Sequence, residues 1–171
     1  SKILNWLLYF PVEYILSYFT DTLITINNED YDRAIKCRFK AKKIYKVAGV
    51  GVDSKKFKKV NNDVKISIKE KLGYKKEDII CLYAADITKR KNQIHIVNSV
   101  AEIKEKVPNL KIILIGTGPL EGYIKQQIKD KSLEKIFIMP GYSRNIDEYM
   151  QMSDILISTS KQEGLPVNII E

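Results

Sequence analysis

The end of the chain carries the residues best suited to chemistry. An apolar run, Ile155–Ile157, predicts a buried β-strand, and small hydroxyl residues, a carboxylate, a glycine and a proline follow it. Pro166 favours the first turn of a helix, where its missing N–H has no intrahelical partner. We therefore expect Glu163 on a loop at the carboxyl end of a strand and Glu171 on the following helix. Ligands of open α/β sheets bind at this position.

This segment resembles the E-x7-E motif of the retaining, GT-B-fold glycosyltransferases of family 4, in particular those of bacterial capsule and exopolysaccharide synthesis. Glu163 and Glu171 have seven residues between them, and Gly164-Leu165-Pro166 follows the first glutamate. The family uses nucleotide-diphosphate sugars, and uridine is favoured among nucleotides by family frequency alone. The alternative is an ordinary loop carboxylate followed by a glutamate on a helix surface.

The resemblance implies a role for each residue of this segment. Glu163 would contact hydroxyl groups of the transferred sugar, and Glu171 would hold the ribose hydroxyls. The backbone N–H groups of Gly164, Leu165 and Val167 would face the sugar and the phosphates. The implied mechanism is a same-face attack assisted by the leaving phosphate, with no covalent role for Glu163, no metal and no cofactor besides the donor substrate. Its catalysis is electrostatic and positional.

An earlier loop supplies the implied cation. Lys91 matches the family lysine that faces the donor diphosphate, where a positive charge neutralises the charge that develops on the leaving group. Asp86 stands where the family usually has an arginine. Arg90 is a candidate replacement, although its spacing directs its side chain elsewhere. The alternative for Lys91 is a solvated loop lysine.

Two further loops resemble family features. Gly116-Thr117-Gly118-Pro119 is similar to a G-x-G-P turn, whose glycines let the backbone approach a ligand at a helix N-terminus. Tight turning explains these glycines equally well. Gly141 and Tyr142 match the loop that lies near the nucleobase in relatives. Tyr142 could stack on a base or pack against the protein.

Strand, loop and helix alternate along the chain, which predicts a parallel, right-handed α/β sheet. Residues 1–20 are expected to be helical, with a break at Pro11 that produces a packed helix pair. By the resemblance, the fold is the Rossmann-like, donor-binding C-terminal domain of a GT-B enzyme, incomplete and preceded by the last βα part of the N-terminal domain. The expected division is residues 1–50 for the N-terminal (acceptor) domain, 51–62 for a linker, and 63–171 for the nucleotide-sugar-binding domain.

Composition restricts the other possibilities. The chain has 171 residues and a net charge of +8, almost all from lysine, and it has no arginine cluster of the kind that reads nucleic acid. The charge reflects either a lysine-rich proteome or attraction to anionic lipid or a phosphorylated carrier. The apolar stretch 3–19 is short for a membrane span, and an interfacial anchor is its other interpretation. We expect a cytoplasmic protein with peripheral contact to the inner membrane face.

The expected function is transfer of a hexose or N-acetylhexosamine from a UDP-sugar to a lipid-linked or growing surface polysaccharide. Relatives extend beyond both ends of this sequence, so we expect a piece of an enzyme that transfers no sugar alone. The first alternative is a non-catalytic nucleotide-sugar-binding module. A dehydrogenase or sugar epimerase is a second, against which the missing G-x-G-x-x-G argues. Nucleic-acid binding through the lysines is a third.

Overall fold

The computed structural model describes residues 2–49, 51–163 and 167–170. The chain divides into two compact units, Ser1–Gly51 and Val52–Glu171. Each unit has its own parallel sheet, with two strands in the first and four in the second. The predicted α/β class with parallel strands is therefore confirmed.

The first unit is a helix followed by a β-α-β arrangement. Its elements are α1 Lys2–Ser17, β1 Thr22–Thr25, α2 Asn28–Lys36 and β2 Lys43–Lys46. β1 and β2 pair in parallel. Asn27 caps α2 because its side-chain oxygen accepts a hydrogen bond of 2.8 Å from the Asp30 N–H, which has no partner within the helix.

The expected helix pair at the start of the chain is wrong, since α1 continues through Pro11 as a single helix. Proline removes one backbone donor from a helix. Side-chain packing spans this point, because Phe10 and Tyr14 both contact the ring of Phe39, with centroid separations of 5.9 and 5.8 Å. No helix in the described part of the chain has the length and apolar character needed to cross a membrane.

The second unit alternates helices with the strands of one sheet. Its elements are α3 Asn62–Lys71, β3 Ile79–Ala84, α4 Gln93–Ile103, β4 Leu110–Ile115, α5 Glu121–Asp130, β5 Phe137–Gly141, α6 Ile146–Met152, β6 Ile155–Leu156 and α7 Val167–Ile170. The strand order is β5-β4-β3-β6. All three pairings are parallel.

The core lies on both faces of β3 and β4, because successive side chains of a strand point to opposite faces. Cys81 and Tyr83 belong to a cluster with residues of α4 and α5, whereas Ile80 and Leu82 pack with Met152 of α6. Helices therefore cover both faces, which explains why the central strands are near-continuous apolar runs.

The expectation that Ile155–Ile157 is a buried strand is wrong for β6. Ile155 and Leu156 are 51% and 38% exposed. The physical reason is position, because in the described part of the chain β6 is at the edge of the sheet and pairs with β3 through two residues, Cys81↔Ile155 and Leu82↔Leu156.

Asp154 fixes the start of this short strand. Its carboxylate accepts hydrogen bonds from the Ile80 N–H at 2.8 Å and from Lys69 Nζ at 2.9 Å, and Lys65 Nζ lies 2.6 Å away. Partial burial raises the pKa of Asp154, but hydrogen bonds from Lys65, Ile80 and Lys69 outweigh it and hold the pKa below its ordinary value. Lys69 is itself buried and also donates to the Asp78 carbonyl at 2.7 Å.

The loops after β3 and β4 are packed backbone against backbone. Gly116 has φ 136°, and a Cβ there would collide with the Ala85 carbonyl. A Cβ on Gly118 would collide with the Ile87 carbonyl oxygen. The Ile87 N–H donates to the Thr117 carbonyl at 2.9 Å. The absence of a side chain at both glycines therefore allows one loop to support the other.

We predict that Gly118→Ala lowers the free energy of unfolding by about 2 kcal/mol, because the added methyl group must displace backbone rather than a flexible side chain. Gly122→Ala in α5 is the matched control, since a Cβ there meets nothing within 4 Å. The control should be neutral or stabilising by up to about 1 kcal/mol. Urea unfolding of both variants measures the difference, and equal effects of the two substitutions would contradict the loop-packing account.

Candidate functional site

The carboxyl ends of four parallel strands place four loops side by side. We call these loops the rim; they are residues 85–92 after β3, 116–120 after β4, 142–145 after β5 and 157–163 after β6. In sheets of this kind, ligands bind outside the carboxyl ends of the strands. The expected convergence of the site loops at one edge follows from the parallel pairing of all four strands.

Two cations and one carboxylate meet at the rim. Lys91 Nζ lies 2.5 Å from Glu163 Oε1. Arg90 Nη1 donates to Glu163 Oε2 at 3.3 Å and to the Gln162 carbonyl at 3.1 Å. Arg90 therefore reaches the same carboxylate as Lys91, and the expectation that its spacing directs it elsewhere is wrong. The loops after β3 and β6 bend so that the side chains of two consecutive residues, Arg90 and Lys91, reach the carboxylate of Glu163. The spacing of these residues in the sequence does not reveal this arrangement.

The Lys91–Glu163 pair is only partly open to solvent. The Lys91 side chain is 13% exposed and that of Glu163 is 21% exposed. Lys91 is thus not a solvated loop lysine. The Arg90, Lys91 and Glu163 side chains carry a net charge of +1, and the limited solvent access strengthens the attraction of that charge for an anion.

Hydrogen bonds keep Glu163 ionised. The hydrogen bond from Lys91, followed by one from Ser160, lowers the pKa of the Glu163 carboxyl below its ordinary value. An ionised carboxylate only accepts hydrogen bonds. The site therefore presents an acceptor for hydroxyl or N–H groups directly beside two cations.

The hydroxyl of Tyr83 connects the two loops that carry this pair. It donates to the Lys91 carbonyl at 2.6 Å, lies 3.1 Å from Ser160 Oγ and accepts from the Thr159 N–H at 3.4 Å. Tyr83 is not among the site residues predicted from the sequence. The available signal was a tyrosine within an otherwise apolar strand, because a buried phenol hydroxyl usually has a hydrogen-bond partner.

Further bonds join the same loops. Thr159 Oγ1 donates to the carbonyls of Lys91 and Asn92 at 3.2 and 3.0 Å. The Lys161 N–H donates to the Arg90 carbonyl at 2.9 Å. Asn92 has φ 58°, in the left-handed region that asparagine tolerates better than most residues. This turn ends the loop and starts α4.

The other predicted site residues take different positions. Gly116 donates its N–H to the Gly141 carbonyl at 2.9 Å, so the start of the loop after β4 is joined to the end of β5. Gly141 has φ 81°, and Tyr142 is 75% exposed rather than packed. Val167 is the first residue of α7. The predictions for Gly164, Leu165 and Glu171 concern residues outside the described part of the chain.

Asp86, which stands in place of the usual family arginine, contributes through its backbone. Its carbonyl accepts a hydrogen bond of 2.9 Å from the side chain of Gln93, which is buried. This bond fixes the loop to the first residue of α4. The residues of the loop that reach Glu163 are therefore Arg90 and Lys91.

Comparison with known proteins relates this chain to a protein family. The family model for glycosyl transferases group 1 matches residues 64–171. EpsD of Bacillus subtilis strain 168, whose name places it among glycosyltransferases, is 35% identical over 167 residues, covering 98% of this chain and 44% of EpsD. A galactosyltransferase of Escherichia coli, named for transfer from UDP-Gal to α-D-GlcNAc-diphosphoundecaprenol, is 28% identical over 169 residues, covering 96% of this chain and 43% of the enzyme.

Solved structures agree on the fold. HepE of Anabaena, solved with UDP and glucose, superposes with a TM-score of 0.77 at 19% identity, over 94% of this chain and 44% of HepE. WaaG, a glycosyltransferase of lipopolysaccharide biosynthesis, superposes with a TM-score of 0.72 at 13% identity, over 87% of this chain and 40% of WaaG. These likenesses confirm the predicted Rossmann-like fold of GT-B enzymes.

The chain spans less than half the length of these relatives. The family match nevertheless covers most of the chain, including Lys91, Arg90 and Glu163. This chain belongs to the group 1 glycosyl transferases, a family of transferase enzymes.

Proposed function

We propose that the rim is the donor site of a retaining glycosyltransferase. The enzyme transfers a hexose or N-acetylhexosamine from a UDP-sugar to a lipid-linked or growing surface polysaccharide. One observation carries the proposal: Lys91 and Arg90 converge on the carboxylate of Glu163 at the carboxyl edge of the sheet. A diphosphate requires cations, and a sugar requires a hydrogen-bond acceptor, so adjacent groups of both kinds match a nucleotide-diphosphate sugar.

The proposed reaction exchanges one bond at the anomeric carbon for another. The bond from that carbon to the β-phosphate oxygen breaks, and the acceptor hydroxyl oxygen bonds to the same face. The acceptor proton passes to the departing phosphate oxygen. Lys91 and Arg90 neutralise the charge that accumulates on the phosphate, and Glu163 orients the sugar. No metal or organic cofactor takes part in this scheme.

Lys91 can serve both partners at once. Its ammonium group has three N–H donors, and the contact with Glu163 at 2.5 Å uses one of them. The other donors can bind phosphate oxygens while Glu163 continues to hold Lys91 in place. The ion pair is therefore compatible with donor binding and sets the position of the charge before the donor arrives.

Two relatives support uridine as the nucleotide and a lipid-linked acceptor. The E. coli enzyme is named for UDP-Gal and a diphosphoundecaprenol-linked acceptor, and HepE was solved with UDP and glucose. The exposed ring of Tyr142 is available to stack on a base, and Glu171 is assigned to the ribose. Gly116, Gly118 and Gly141 are assigned to the loops that the donor contacts. The backbone N–H groups of Gly164, Leu165 and Val167 are assigned to the sugar and phosphates.

We predict that UDP binds this chain more tightly than GDP or ADP, and that Lys91→Ala weakens UDP binding about tenfold or more, because a hydrogen bond to a charged group is lost. Glu163→Gln should change UDP affinity by less than about threefold but remove the added affinity of a UDP-sugar over UDP. Calorimetry with a chelator present measures these constants without a contribution from metal.

Lys71→Ala is the matched control. Lys71 forms an ion pair of 2.6 Å with Glu148, between α3 and α6 and away from the rim loops. The control should bind UDP like the original chain. An equal loss of affinity in Lys71→Ala and Lys91→Ala, or no UDP binding by the folded chain, would contradict the proposed donor site.

We also propose that the protein works at the cytoplasmic face of the membrane and contacts it peripherally through α1. The helix exposes large apolar side chains, including Tyr9 at 65%, and the turn that directly follows the helix exposes Phe19 at 83%. Exposed lysines lie in the segment that bonds to its end, where the Lys40 N–H contacts Ser17 Oγ at 2.9 Å and the Lys42 N–H contacts the Thr20 carbonyl at 3.2 Å. Apolar and basic groups together favour an anionic lipid surface.

Sedimentation with vesicles tests this contact. The chain should bind vesicles that contain phosphatidylglycerol more strongly than neutral phosphatidylcholine vesicles. Phe19→Ser should reduce binding about tenfold, because a phenylalanine side chain no longer enters the interface. Tyr123→Ser, at a half-exposed aromatic of α5, is the control and should have no effect. The proposal fails if both variants bind like the original chain.

A further inference from the structure

Tyr83 occupies an unusual position for a polar residue. It lies in the central strand β3, its side chain is 1% exposed, and its ring belongs to the core cluster with residues of α4 and α5. A phenylalanine would fill the same space among these apolar neighbours. The hydroxyl therefore needs an explanation of its own, because burying an unpartnered polar group costs free energy.

Among the described residues, each hydrogen-bond partner of that hydroxyl belongs to a loop of the candidate site. The Lys91 carbonyl is 2.6 Å away on the loop after β3. Ser160 Oγ, at 3.1 Å, and the Thr159 N–H, at 3.4 Å, are on the loop after β6. One rigid core residue thus bonds to the loop of the cation and to the loop of the carboxylate.

We infer that Tyr83 is a positioning residue of the donor site, whose hydroxyl sets the separation of Lys91 and Glu163 by tying their two loops to the sheet. The inference rests on the proposed function for its consequence on donor binding. Tyr83 touches neither charged group and acts only through the backbone of Lys91 and the 159–160 segment.

A lysine side chain is long and flexible. Lysine has four rotatable bonds, so its ammonium position is defined only where the backbone and the stem are held. The Lys91 carbonyl accepts from Tyr83 Oη and, at 3.2 Å, from Thr159 Oγ1. These two bonds hold the backbone of Lys91 at the sheet edge. A site held to within a fraction of an ångström needs such supporting contacts.

The test replaces only the hydroxyl, with Tyr83→Phe. The Lys91 hydrogen bond is the largest cause of the lowered Glu163 pKa, so a less well-placed Lys91 should let that pKa rise toward its ordinary value. UDP affinity should fall about fivefold, less than in Lys91→Ala, because a displaced Lys91 makes a weaker hydrogen bond to the diphosphate. NMR titration of glutamate-labelled protein gives the pKa, and calorimetry gives the affinity.

A double-mutant cycle separates positioning from general stability. In a Lys91→Ala background, Tyr83→Phe should change UDP affinity by less than about twofold, because the group through which it acts is absent. Tyr74→Phe, which changes a half-buried tyrosine outside the rim, is the control and should alter neither the Glu163 pKa nor UDP affinity. A merely structural role for Tyr83 would give the same loss in both backgrounds.

The outcomes are distinct. An unchanged Glu163 pKa in Tyr83→Phe overturns the inference, and so does an equal affinity loss with and without Lys91. If the original chain binds no nucleotide, the proposed function fails, while the Glu163 titration, which needs no nucleotide, still decides the role of Tyr83. If Tyr83→Phe does not fold in buffer, the same titration is run in sucrose, which favours the folded state. The Glu163 pKa should still rise, and an unchanged value would overturn the inference.

Discussion

The pairing of β6 with β3 is the contact on which the candidate site depends, because it places the Glu163 loop beside the Lys91 loop. The pairing involves only two residues of β6, both of which are more than a third exposed. Side chains hold the strand at its two ends instead. Asp154 bonds to the Ile80 N–H before the strand, and Tyr83 and Thr159 bond the loops together after it. A short edge strand is thus fixed by polar contacts rather than by its own hydrophobic burial.

The cations at the rim differ from an ordinary exposed ion pair in their burial and pairing. The chain has a net charge of +8. At the rim, the Lys91 side chain is only 13% exposed, and Lys91 and Arg90 share the carboxylate of Glu163. Exposed ion pairs contribute little to stability. Lys91 is partly desolvated and paired with one carboxylate, and its ammonium group has two further N–H donors; on this basis we propose that it binds a diphosphate.

The sequence was sufficient for the central part of the fold. The runs around Ile79–Ala84 and Leu110–Ile115 predict buried parallel strands because helices cover both of their faces. The candidate pair Lys91 and Glu163 came from a resemblance to the family, and the structure brings the two together across 72 positions of sequence.

Other features depend on tertiary contacts that a local pattern does not contain. Ile155 and Leu156 look like a buried strand, but burial depends on how many neighbours a strand has, and β6 has one described partner. Pro11 is compatible with a single helix because aromatic packing spans it. Arg90 reaches Glu163 because the loop bends, and the role of the Tyr83 hydroxyl depends on two loops that are distant in sequence.

The central claim is that Lys91 and Glu163 together bind the diphosphate and sugar of a nucleotide-sugar donor. The most direct measurement is a crystal structure of this chain, or of a longer protein that contains it, with a non-hydrolysable UDP-sugar bound. The account predicts a diphosphate oxygen within hydrogen-bond distance of Lys91 Nζ and a sugar hydroxyl on the Glu163 carboxylate. A donor bound elsewhere on the protein, with Lys91 and Glu163 contacting only each other, would contradict the account.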